Sequence, residues 1–182
     1  MRIITPRDTI LLATVIPLKR ERLEWLLDGL GFTAVGPEAI ASPPRQAQEE
    51  GPSHEANAEQ KAPAWLGAWG SLAIASDDGQ VVPELMEQWH SLRTRGFTPS
   101  AEDDIGRAKA LIDLVSHLPE GEWSVFWIEA VALADAGDVL HTFQAESGRG
   151  ETATSFDPAH IHDGFLVGAV WGFPELGKCT PS

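Results

Sequence analysis

The stretch Thr9-Ile10-Leu11-Leu12-Ala13-Thr14-Val15-Ile16 is a nearly continuous apolar run, the pattern of a strand buried in a parallel or mixed sheet. Pro17 ends it. From Leu18 to Leu30 the apolar residues Leu23, Leu26, Leu27 and Leu30 fall at helical spacing, and Gly31 supplies a stop. Phe32-Thr33-Ala34-Val35 reads as a short second strand, so the chain opens β-α-β with a tight turn at Val15 to Lys19. Residues 36–53 carry Pro37, Pro43 and Pro44 among Gln, Glu and Ser, the composition of a mobile loop. A helix is expected from about His54 to Trp69, kinked or split at Pro63.

Ser71-Leu72-Ala73-Ile74-Ala75 reads as a further buried strand, ended by a turn at Ser76-Asp77-Asp78-Gly79. Leu85, Met86 and Trp89 suggest a short helix within Val81 to His90, and Ser100-Ala101-Glu102-Asp103 a capping box opening a helix to about Leu118. Trp123 to Ala134 reads as a long strand, followed by a hairpin turn at Asp135-Ala136-Gly137-Asp138 and a return strand from Val139 to Ala145. Residues 147–163 read as loop, Gly164 to Trp171 as a last strand, and 174–182 as a short tail. Early alternation of strands and helices, then a hairpin, gives an α/β class: a mixed central sheet flanked by helices, in one domain over residues 1–182.

Composition narrows the function. Apolar residues make up 43% and charged residues 22%, ordinary for a globular chain. No apolar run approaches the ~20 residues that span a bilayer, so no membrane association is expected. The N-terminus lacks the apolar core of a secretion signal, and the single cysteine, Cys179, fits a reducing compartment; a cytoplasmic location is expected. The net charge of -14 argues against nucleic acid as a partner, because such binding rests on Lys and Arg neutralising phosphates. Phosphate could be handled only with help from a divalent metal or a few local cations.

Three segments bear on chemistry. Thr14 and Lys19 flank a strand-to-helix turn, where backbone N–H groups favour anions, although an ordinary turn with a solvated lysine accounts for the same residues. Asp77 and Asp78 follow a buried strand, where carboxylates suit a metal ion and an activated water; Asp-Asp-Gly is equally a common turn sequence. Glu49-Glu50, with Asn57 and Lys61 beyond, reads alone as a solvated charge run. His54, His160 and His162 lack a ligand-like pattern and read as surface residues.

In order, these segments resemble the inosine/xanthosine triphosphate pyrophosphatase family. Its Thr-x-Asn-x-x-Lys turn is matched by Thr14-Val15-Ile16-Pro17-Leu18-Lys19, with Ile16 in the asparagine position. Its Glu-Thr-Gly-x-Thr-Phe-x-Glu-Asn-Ala-x-x-Lys-Ala block is matched by Glu49 through Ala62, keeping Glu49, Gly51, Asn57, Ala58, Lys61 and Ala62, with Ala56 replacing a glutamate. Its Asp-Asp-Ser-Gly-Leu falls without a gap on Ser76-Asp77-Asp78-Gly79-Gln80, and Gly-Gly-Phe-Gly-Tyr-Asp on Asp163 through Gly168.

The resemblance implies Mg²⁺-dependent hydrolysis of non-standard purine nucleoside triphosphates (ITP, XTP, dITP) to the monophosphate and pyrophosphate. It assigns metal binding to Glu49 and Asp77, catalysis to Asp77 or, with the register shifted by one, Asp78, and substrate contacts to Thr14, Lys19, Asn57, Lys61 and Phe165, the last stacking on the base. It also implies a homodimer, which exposed aromatics such as Trp65, Trp69 and Trp89 would permit. The sequence stops at Ser182, before the family's distal lysine and Ser-His-Arg block, and Gly168 removes a carboxylate near the base. Those departures imply altered base discrimination. They also keep open a descendant without catalysis that binds a nucleotide or a protein.

Overall fold

A computed structural model of the chain describes residues 8–41, 44, 51–85, 88–93, 103–119, 124–135, 138–147, 149–152, 155 and 171–172. The elements are β1 (Thr9–Leu12), α1 (Pro17–Leu27), β2 (Thr33–Val35), α2 (His54–Trp69), β3 (Leu72–Val81), α3 (Asp104–Val115), β4 (Ser124–Asp135), β5 (Asp138–Glu146), β6 (Gly150–Thr152) and β7 (Trp171–Gly172). One sheet takes the order β2-β1-β3-β4-β6-β7, with β5 also on β4. Parallel pairing of β1 with β2 and β3, and antiparallel pairing of β6 with β4 and β7, make it mixed. The α/β class with a mixed sheet flanked by helices is as expected.

The chain divides into two compact units, residues 1–77 with 129–145 and residues 78–128 with 146–182. Strands β3 and β4 contribute to both. In the first unit the period-2 alternation of the strands sorts apolar residues onto two faces. Leu11, Ala13, Ala73, Ala75, Ala130, Ala132 and Ala134 cluster with Ala58, Ala62, Trp65 and Leu66 of α2. Ile10, Leu12, Leu72, Ile74, Val131 and Leu133 cluster with Leu23 and Leu27 of α1. Alanines dominate the α2 face, so that helix packs on methyl groups instead of long side chains. The second unit has its own core, in which Val82, Leu85, Trp89 and Val125 pack with Ala108, Leu111 and Val115 of α3.

Several local expectations are corrected. Helix α1 stops at Leu27 and not at Leu30: Asp28 is its C-cap, and Gly29 and Gly31 both hold left-handed φ (73° and 85°) in the turn that follows. Of the two outcomes expected at Pro63, the split does not occur: α2 runs its full 16 residues with the proline inside it. Ser53 caps this helix, accepting from Ala56 N at 3.1 Å, and Gly70 closes it in the left-handed region. The Ser76-Asp77-Asp78-Gly79 segment is no turn: β3 continues through it to Val81, with Asp77, Gly79 and Gln80 all buried. Between Val81 and His90 the described residues form only a 3-10 turn at Pro83–Leu85. Helix α3 is capped by Asp103, whose Oδ1 accepts from Gly106 N at 2.7 Å, and not by Ser100, which lies outside the described residues together with 164–170 of the last expected strand.

Candidate functional site

Helix α2 presents His54, Asn57 and Lys61 at i, i+3 and i+7, one face of a helix, and all three are buried. They converge on Asp77 of β3, itself 4% exposed. By strand alternation Asp77 shares its face with Ala73 and Ala75, the methyl groups on which α2 packs. The same contact that buries the helix therefore carries its polar residues to the carboxylate. Lys61 Nζ donates to Asp77 Oδ1 at 2.6 Å and to Ser76 O at 3.4 Å. Asn57 Nδ2 donates to Asp77 Oδ2 at 3.0 Å, and His54 Nδ1 faces the same oxygen at 2.7 Å.

Burial alone would raise the Asp77 pKa. The His54 hydrogen bond, the Lys61 charge and hydrogen bond, and the Asn57 amide outweigh it and hold the group at about 2, below its ordinary 3.8. Asp77 is thus an anion at any physiological pH, and an anionic acceptor places the shared proton on His54 Nδ1. A carboxylate has about four acceptor positions. Among the described residues three nitrogen donors fill three of them and leave one, on Oδ1.

Asn57 also ties the preceding segment to the site. Its Oδ1 accepts from Gly51 N at 2.8 Å. A Cβ on Gly51 would lie 2.5 Å from that oxygen, so the close approach requires glycine.

Thr14 and Lys19 belong to the β1–α1 junction. Thr14 is buried and its hydroxyl accepts from Ile16 N at 3.2 Å, while Ile16 is the N-cap of α1 and Pro17 takes the first helical position. Ala13 N donates to Ile74 O at 2.8 Å, and Leu12 is in register with Ile74. Thr14 lies two residues beyond that register pair and Asp77 three beyond it, so both occur past the carboxyl end of β1, where parallel sheets bind ligands. Asp78 follows Asp77 on the strand and points to the opposite face. Glu49 and Phe165 lie outside the described residues, as do His160, His162 and Cys179.

Two expectations about side chains are corrected. His54 is buried at 4% exposure and is no surface residue. The helical face it shares with Asn57 and Lys61 was the signal available in sequence. Trp65 and Trp89 are buried at 6% and 2%, and Trp69 is half-buried; among the described residues the large exposed aromatics are Trp25, Phe32 and Phe143.

Solved structures share this fold. A HAM1 protein from Coxiella burnetii superposes with a TM-score of 0.75 at 18% identity, over 93% of this chain and 84% of that one. The Ham1 protein of Staphylococcus aureus gives 0.71 at 17%, over 93% and 83%. The nucleoside-triphosphatase / dITP/XTP pyrophosphatase of Mycobacterium abscessus gives 0.68 at 21%, over 90% and 82%. No family model matches the chain. A curated relative decides the matter: the dITP/XTP pyrophosphatase of Geobacter sulfurreducens is 31% identical over 147 residues, 77% of this chain and 73% of the relative.

The chain belongs to the HAM1, or inosine/xanthosine triphosphate pyrophosphatase, family. Within the HAM1 fold, the blocks that carry the resemblance, Glu49 to Ala62 and Ser76 to Gln80, are the ones that meet at Asp77 through Asn57 and Lys61. Among the described residues no group of three His, Cys, Asp or Glu side chains is arranged to hold a metal ion, and no helix is long and apolar enough to cross a membrane.

Proposed function

We propose that this HAM1 member is an acid-anhydride hydrolase that cleaves non-standard purine nucleoside triphosphates, ITP, XTP and dITP, to the monophosphate and pyrophosphate with Mg²⁺. The observation that carries the reading is the buried Asp77, ionised near neutrality and gripped by Lys61 and Asn57 of the adjacent family block. The names of the Geobacter sulfurreducens and Mycobacterium abscessus proteins support the reaction class and the substrates.

The Asp77 carboxylate supports a divalent ion. Mg²⁺ is commonly held by one or two carboxylates together with substrate phosphates and water, and Asp77 retains one acceptor position on Oδ1. Asp77 and Glu49 would hold it, and it would supply Lewis-acid stabilisation of the charge developing on pyrophosphate. The chain's own residues do the rest. With a pKa of about 2, Asp77 is too weak a base to collect a proton near neutrality; it orients water and neutralises cationic charge as a fixed anion. Lys61 and Asn57 keep it in place. Thr14 and Lys19 serve the phosphates at the β1–α1 junction, Phe165 stacks on the base, and Asp78 is the alternative catalytic carboxylate.

A pyrophosphate-release assay with Mg²⁺ over ITP, XTP, dITP and the common nucleoside triphosphates tests the reading. Turnover by the wild type, lost in Asp77→Asn and kept in Asp78→Asn, supports it; absence of turnover on every substrate overturns it. A cytoplasmic location and a homodimer complete the proposal. Trp25, Leu26, Leu30 and Phe32, all at least 40% exposed, offer an apolar surface for the dimer, and sedimentation analysis of Trp25→Lys checks it.

A further inference from the structure

We propose that His54 is a positioning residue for Asp77, fixing the plane of its carboxylate; the proposal rests on Asp77 being the functional anion. The terminal torsion of an aspartate is broad and nearly two-fold, so a carboxylate needs directional partners to hold one orientation. Lys61 is a weaker one: its ammonium carries three rotatable donors on a flexible stem and imposes no plane on the oxygen it meets. His54 and Asn57 differ. Both are planar groups with fixed N–H directions, they sit one turn apart on α2, and both address Oδ2, at 2.7 and 3.0 Å. Asn57 is itself fixed by Gly51 N. His54 is 4% exposed, locked by packing.

Two rigid donors on Oδ2 define the carboxylate plane, and the plane sets the direction of the one acceptor position left on Oδ1.

Three proteins decide it. His54→Phe keeps a ring and removes the donor; His54→Asn keeps a donor near the place of Nδ1 and leaves a cavity. A packing role predicts that activity follows stability, with His54→Phe the better of the two. Positioning predicts the reverse order in turnover: kcat of His54→Phe falls roughly 10–100-fold, the usual effect of losing a partner that orients a functional ligand, with KM within about two-fold, while His54→Asn keeps kcat within a few-fold of wild type despite a lower melting temperature. Equal kcat in wild type and His54→Phe overturns the proposal. Nitrogen-15 NMR adds a readout independent of turnover. A slowly exchanging, far-downfield Nδ1–H resonance of His54, lost in Asp77→Ala, is expected, and its absence from the wild type overturns the proposal. Wild-type protein that releases no pyrophosphate overturns the functional reading instead, and the proton resonance still decides whether His54 holds Asp77.

Discussion

Lys61 Nζ sits 2.6 Å from Asp77 Oδ1, and both side chains are almost wholly removed from water. Such a pair is a weak net contributor to stability, because desolvating two ions offsets much of their attraction. Removing one partner is another matter. Lys61→Met leaves Asp77 buried with the His54 and Asn57 donors and without the lysine charge, and should destabilise the protein by roughly 3–5 kcal/mol. The double variant Lys61→Met/Asp77→Leu should recover most of that loss and remain inactive. Urea denaturation of the three proteins checks it; a double variant no more stable than Lys61→Met would count against a buried ion pair.

The same carboxylate gives the protein a defined acid limb. Its folded-state pKa of about 2 lies below the ordinary 3.8. The folded protein therefore binds this proton less readily than the unfolded chain. The resulting stability, about 2 kcal/mol, is fully present above about pH 4 and is lost as the pH falls towards 2. Wild type and Asp77→Asn, compared by denaturant unfolding from pH 5 to 2, should differ in slope over that window, with the shallower dependence in the variant.

Gly51 is held to glycine by contact and not by its backbone angle. An alanine methyl would press on Asn57 Oδ1 at 2.5 Å, and the amide cannot retreat without lengthening its bond to Asp77 Oδ2. Gly51→Ala should therefore lower kcat for pyrophosphate release by about ten-fold or more, as displacements of this size do, with the melting temperature moving by only a few degrees. A variant with wild-type kcat would show that the Gly51–Asn57 link does not reach the site.

The fold was legible where one signal dominated. The Ile10-Leu11-Leu12 run and the Leu23/Leu27 spacing announced β1 and α1, and the long run from Trp123 to Ala134 announced β4. It was misread where local and tertiary preferences conflict. Asp-Asp-Gly favours a turn, yet Asp77 finds three donors on α2 and Gly79 is buried, so the strand runs on. Pro63 was expected to kink or split the helix, yet α2 runs unbroken and buries Ala58, Ala62, Trp65 and Leu66 on both sides of it, and that packing outweighs the lost backbone bond. At the site, Asn57, Lys61 and Asp77 were found by their resemblance to family blocks, and the structure joins them. His54 was passed over because a lone histidine after a polar loop carries no signal until its helical register with Asn57 and Lys61 is drawn.

The second unit holds a polar group of the opposite kind. Gln80 is fully buried, and among the described residues neither Nε2 nor Oε1 of its side chain has a hydrogen-bond partner, while its backbone oxygen accepts from Trp89 Nε1 at 3.2 Å. A buried amide left unpaired costs about 1–3 kcal/mol. Leucine has nearly the same volume, carries no such penalty, and leaves the Trp89 bond untouched because that bond goes to the main chain. Gln80→Leu should therefore raise the urea midpoint by an amount corresponding to about 1–3 kcal/mol, with an unchanged m-value. Gln80→Ala should lower it, because the space is then left empty. A destabilised Gln80→Leu would mean that the amide has polar company the side chain cannot do without, and the rise in midpoint is the observation that separates a strained core from a solvated one.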